Sequence, residues 1–188
     1  MECIIRPRLN DYHGIFLRQE DIDFAIPFID EDIPLYLDPF LLWKSPSLMD
    51  NGLHDSIIQS FNHLGYMVNK GQFDTATDLL IELSECEAVG LGTSKTRKGN
   101  RIGRNVATDI LSLFNNIPQL RTTGFSHIEE IQLLVNQIAK DRISDIACNL
   151  MSSFLIDYTI QRCEESKIPM EKVTMTSVYD VKARCLKS

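Results

Sequence analysis

Asp141-Arg-Ile-Ser-Asp145-Ile-Ala-Cys-Asn149-Leu-Met-Ser-Ser-Phe154-Leu-Ile-Asp-Tyr158 marks this chain as mainly helical. Ile143, Ile146, Ala147, Leu150, Phe154 and Tyr158 recur at the spacing that gathers side chains on one face of an α-helix. The pattern predicts one helix from about Asp141 to Glu164, with Pro169 ending any continuation. Asp141, Asp145, Asn149 and Ser152 fall on a second, polar stripe of the same helix. Two like charges one turn apart cost a few tenths of a kcal/mol unless a cation compensates. That cation is expected to be a divalent metal or a side chain from elsewhere. The plainer alternative makes Asp141 the N-cap and Asp145 a first-turn acid favoured by the helix dipole.

Working outward, Ser126-His-Ile-Glu129 matches a capping box before an apolar run to Ala139. Arg121 to His127 reads as a loop, and Asn105 to Asn115 as a helix burying Val106, Ile110, Leu113 and Phe114, ended before Pro118. Residues 72–86 form a further helix with Phe73, Ala76, Leu79, Leu80 and Leu83 inward. Ser47 or Asp50 caps a helix near 52–64, which Gly65 stops. Residues 15–42 alternate short apolar runs with acids and prolines, favouring short strands. Asp38-Pro39 then opens a helix through Phe40, Leu41, Leu42 and Trp43. Residues 171–188 have no clear period and are left as a strand pair or an unfinished element. The expected fold is α+β, mainly α-helical, with N-terminal short strands followed by a five-helix or similar bundle. It is read as a single domain over 1–188: strands and a first helix in 15–45, a helical core in 50–165 and a poorly defined element in 170–188.

Between two of these helices lies Gly90-Leu-Gly-Thr-Ser-Lys95-Thr-Arg97-Lys98-Gly99-Asn-Arg101-Ile-Gly103-Arg104, with five cations and four glycines. Ala88 to Thr108 contains no acid, whereas the chain as a whole carries a net charge of −7. Glycine lets backbone N–H groups approach a phosphate, and Lys and Arg add charge-assisted hydrogen bonds. The helix beginning at Asn105 adds free N–H groups and a positive dipole end. Lys95, Arg97, Lys98, Arg101, Gly103 and Arg104 are therefore the candidate phosphate or nucleic-acid contacts. The loop matches neither a Walker sequence nor a dinucleotide fingerprint. A solvated surface loop is the competing reading.

Asp38, Glu85, Asp141 and Asp145 are the candidate catalytic carboxylates, with Asp38, Asp141 and Asp145 the candidate ligands of Mg²⁺. Carboxylates brought together from separate elements are how such sites are built. Solvated acidic surface is the alternative. His13, His54, His63 and His127 form no His-x-x-x-His pattern, so a zinc hydrolase is not indicated. Cys86 lies between Glu85 and Glu87, which disfavour its thiolate.

The acidic balance argues against a protein that coats nucleic acid non-specifically. The five cysteines are odd in number and widely spaced, which fits a cytoplasmic protein without a disulfide framework. No apolar stretch is long enough to span a membrane.

Leu35-Tyr-Leu37-Asp38-Pro39-Phe-Leu41-Leu42, the Gly90 to Gly103 segment, Asp141-Arg-Ile-Ser-Asp145 with Asn149, and Phe154-Leu-Ile-Asp-Tyr-Thr159 together resemble a group of uncharacterised bacterial proteins associated with mobile genes and phage-defence loci. The resemblance spans about residues 25–170, and its members extend beyond the position of Pro169. It implies an antiviral defence setting and brings no activity to particular residues. Two expectations follow. One is a defence component that binds nucleic acid or nucleotide phosphates through the loop, with Mg²⁺-dependent nuclease chemistry as an extension. The other is a non-enzymatic adaptor or sensor that docks a partner protein of a defence operon or a second copy of itself.

Overall fold

Ile57, Phe61, Leu64 and Val68 form the buried stripe of the longest helix, and the rest of the core is arranged around it. The structure, a computed structural model, describes residues 7–86, 88–91, 101–136, 138–175 and 177–187. Among these, the helices are α1 (Leu9–His13), α2 (Pro39–Lys44), α3 (Leu48–Asn69), α4 (Phe73–Leu83), α5 (Arg104–Asn116), α6 (Pro118–Thr123), α7 (Ile131–Leu134), α8 (Lys140–Leu150) and α9 (Ser152–Ser166). The strands β1 (Val178–Asp180) and β2 (Cys185–Lys187) pair antiparallel, with Tyr179 opposite Leu186. No helix among the described residues is long and apolar enough to cross a membrane.

Local chemistry sets several boundaries. Asp38 caps α2 by accepting from the Phe40 N–H at 3.1 Å, and Pro39 occupies the first turn, where a missing N–H costs nothing. Ser47 caps α3 by accepting from the Asp50 N–H at 3.3 Å. The expected stop at Gly65 does not occur, because α3 continues to Asn69. Glycine is needed there for packing: a Cβ at 65 would stand 2.4 Å from Cδ1 of Phe114 on α5. Phe114 in turn meets Phe61 and Phe125, with ring centroids 6.3 and 5.3 Å away.

Other boundaries depart from the sequence reading. The single helix expected over 141–164 breaks at Met151, whose buried side chain sits at φ −109°, ψ 18°. Ser152 there turns its hydroxyl to accept from the Tyr179 N–H at 3.2 Å. α6, opened by Pro118 at its first turn, runs through Thr123 into the segment read as loop before His127. The capping acid of the next turn is Glu130 instead of Glu129: its Oε1 accepts from the N–H groups of Ser126 and His127. The helical turns that follow end at Leu134.

The N-terminal strands are also absent from the described residues. Only two isolated bridges form there, Arg8 with Phe28 and Ile33 with Leu91, since Pro27 and Pro34 interrupt the N–H row a ladder requires. The sheet lies instead in the C-terminal stretch, where β1 buries Tyr179 beside α8 and α9. Most of the buried apolar residues, Tyr179 included, form one cluster drawn largely from α3, α4, α5 and α8.

Candidate functional site

The C-terminal end of α4 assembles the site. A helix end leaves carbonyls without intrahelical partners. Here Asn149 of α8 donates its amide to the carbonyls of Leu83 at 2.8 Å and Glu85 at 2.9 Å. The Ser84 hydroxyl donates to the Ile81 carbonyl at 2.7 Å and accepts from the Ile102 N–H at 2.9 Å. One serine thus closes α4 and secures the downstream stem of the glycine-rich loop. The upstream stem is held separately, by the Ile33 N–H donating to the Gly90 carbonyl at 2.8 Å.

With the chain so clamped, Glu85 points at Arg142. The guanidinium lies 3.2 Å from Glu85 Oε2 and 3.4 Å from Asp145 Oδ2. The three side chains are 22% (Arg142), 10% (Glu85) and 18% (Asp145) exposed, so solvent screens them little. Burial pushes the Asp145 carboxyl up to about 7, the negative charges of Glu85, Asp141 and Asp32 add to this, and Arg142 opposes it. Near neutrality the Asp145 carboxyl therefore holds its proton part of the time. Asp141 lies in the first turn of α8, with Oδ1 buried and without a hydrogen-bond partner.

Among the described residues, a cation that answers the stripe comes from the same helix: Arg142 faces Asp145. Asp38 is engaged at the N-cap of α2, and the groups acting on Asp145 do not include it. Among the described residues no group of three or more His, Cys, Asp and Glu side chains could hold a metal ion. The Asp38, Asp141 and Asp145 set expected for Mg²⁺ does not assemble, and the donors nearest Asp145 already face an arginine.

Lys95, Arg97 and Lys98 lie outside the described residues. Of the other loop candidates, Gly103 is the N-cap of α5. Arg104 turns to α4 and pairs with Asp74 at 3.3 Å and Asp78 at 2.6 Å, so its charge is answered within the chain. Arg101 lines a groove of about 930 Å³ together with Glu82, Glu85, Cys86, Asn149 and Ser152. Leu155, Ile156 and Ile160 of α9, Val173 before β1 and Val178 of β1 add its apolar lining. Burial pushes the Cys86 thiol up to about 12, with Asp145 the next contributor, which removes it as a nucleophile at neutral pH.

Sequence reasoning found the polar stripe and the loop but missed Arg142 as their organiser. Arg142 stands three residues before Asp145, a spacing that allows a pair on a helix. Asn149 was placed on the stripe, but nothing local indicated that it clamps α4.

No curated protein and no solved structure matches the chain. A family model described as a domain of unknown function, DUF8370, matches residues 14–188, and the chain belongs to that family.

Proposed function

We propose that this protein is a cytoplasmic binding module that engages the phosphates of nucleic acid or nucleotides through the loop between Gly90 and Arg104. The observation that carries this reading is the pair of pinned stems, Gly90 to Ile33 and Ile102 to Ser84. They anchor a basic, glycine-rich segment at fixed points beside a groove whose wall includes Arg101. Anchoring reduces the entropy that a basic loop loses on binding. Lys95, Arg97, Lys98 and Arg101 are the contacts, and Arg104 secures the loop to α4. Glu85, Arg142, Asp145 and Asn149 support the stem. The nuclease extension is set aside, because Glu85 and Asp145 face Arg142 and Asp38 caps α2. The resemblance to proteins of phage-defence loci supplies the setting, recognition of foreign nucleic acid. The four described cysteines are free, which accords with a reducing compartment.

Fluorescence anisotropy with labelled single- and double-stranded oligonucleotides and with a labelled mononucleotide tests this. Three or four phosphate contacts predict a log–log salt slope of about −3 for duplex DNA. Neutralising Lys95, Arg97 and Lys98 together should flatten the slope and abolish binding at moderate salt. Unchanged affinity in that triple variant would remove the proposal.

An exposed apolar patch favours a second reading, an adaptor that docks another protein. Leu41, Trp43, Leu48 and Met49 are 64%, 44%, 89% and 62% exposed around α2 and the start of α3. Such a patch suits a protein partner better than a phosphate. Under this reading, Trp43→Ser abolishes partner capture and leaves oligonucleotide binding intact.

A further inference from the structure

His54 and His127, seventy-three residues apart in the chain, meet with Nε2 of the first 3.2 Å from Nδ1 of the second. His54 sits on α3 with only 4% of its side chain exposed. His127 is held before the turn at Ile128–Glu130 by the bond from its N–H to Glu130. His54 Nδ1 is buried without a hydrogen-bond partner, and the nearest carboxylate oxygen, Asp55 Oδ1, stands 3.6 Å away.

We propose that His54 Nε2 and His127 Nδ1 are ligands of a borderline divalent transition metal such as Zn²⁺ or Ni²⁺, with water completing its coordination. Two imidazole nitrogens bound to one such ion at the tetrahedral angle stand about 3.3 Å apart. Imidazole suits these metals, whereas Mg²⁺ and Ca²⁺ select oxygen. The negative charge of Asp55, 3.6 Å from Nδ1 and beyond hydrogen-bond length, favours the tautomer that keeps the proton on Nδ1 and leaves the Nε2 lone pair free. With two protein ligands the ion keeps open positions. The site is remote in sequence from the basic loop and independent of its role.

The chain has a single tryptophan, and the Trp43 ring centroid lies 4.8 Å from that of His127. A paramagnetic ion bound to the pair quenches that fluorophore, so Ni²⁺ titration reads occupancy directly. The expected result is saturable quenching by Ni²⁺ that excess diamagnetic Zn²⁺ reverses. It should be lost in His127→Ala and shifted about tenfold weaker in Asp55→Asn. Asp55 is 71% exposed and His127 only half-buried, so both variants are expected to fold, which circular dichroism verifies. Absence of saturable quenching in the wild type overturns the site, as does Ni²⁺ quenching of His127→Ala at the wild-type midpoint. Either result would leave the pair as a simple N–H···N hydrogen bond.

Discussion

The Ser84 hydroxyl accepts the Ile102 N–H at 2.9 Å across eighteen residues of chain, joining the end of α4 to the stem of the basic loop. Ser84 is fully buried, so no water replaces it when it is removed. Ser84→Ala strands the Ile102 N–H and should lower unfolding free energy by about 1–3 kcal/mol in urea. It should also weaken oligonucleotide binding without changing the salt slope, because the loop's charges remain while their anchoring is lost. A changed slope with unchanged affinity would contradict this role.

The contact between Gly65 and Phe114 makes a second case. Gly65→Ala places a methyl in the space the ring occupies and should destabilise by about 1–3 kcal/mol. Pairing it with Phe114→Leu should recover part of that loss, since the smaller side chain vacates the clash. Purely additive losses in the double variant would show that Phe114 does not dictate the glycine.

The raised Asp145 carboxyl makes stability depend on pH. Its folded value of about 7 exceeds the ordinary carboxylate value near 4, so between those limits the folded chain binds a proton that the unfolded chain releases. The stabilisation is complete below pH ~4 and is lost as pH rises through about 7. Asp145→Asn removes the titration and should flatten the decline, as urea midpoints at pH 4.5, 6 and 8 would reveal. An equally steep decline in the variant would assign it to another group.

Arg142→Met leaves Glu85 and Asp145 facing each other without a cation. Removing one partner from such a buried set costs about 3 kcal/mol at pH 8, above the Asp145 value of about 7. At pH 5 Asp145 is protonated, and the penalty should shrink. The comparison is made by urea denaturation of wild type and variant at the two pH values; a pH-independent penalty would mean that Arg142 contributes by packing alone.

What the sequence disclosed follows the range of the forces involved. The Asp38 and Ser47 caps act over two or three residues, so α2 and the start of α3 were readable, as was the entry of α5 after Gly103. Gly65 misled because the residue that requires it, Phe114, lies in another helix. β1 and β2 each span three residues, too short to display a two-residue period, and Tyr179 is the sole fully buried side chain of the pair. The N-terminal alternation resembled strands, but its prolines allow only isolated bridges. At the candidate site the Asp141 and Asp145 stripe was visible from helical geometry. Glu85 and Asn149 come together from elements more than sixty residues apart, and no local pattern records that meeting.

The break at Met151 divides what would have been one rod into two segments of very different cohesion. α8 is buried along most of its length, whereas α9, which lines the groove, has no fully buried residue. Local opening free energy follows buried contact, so α9 should detach and reclose while α8 remains folded. Amide exchange would register this as fast, sub-global exchange in Ser152–Ser166 beside slow, global exchange in α8. On that expectation the groove has one firm bank and one compliant bank, and its width changes as α9 opens and recloses.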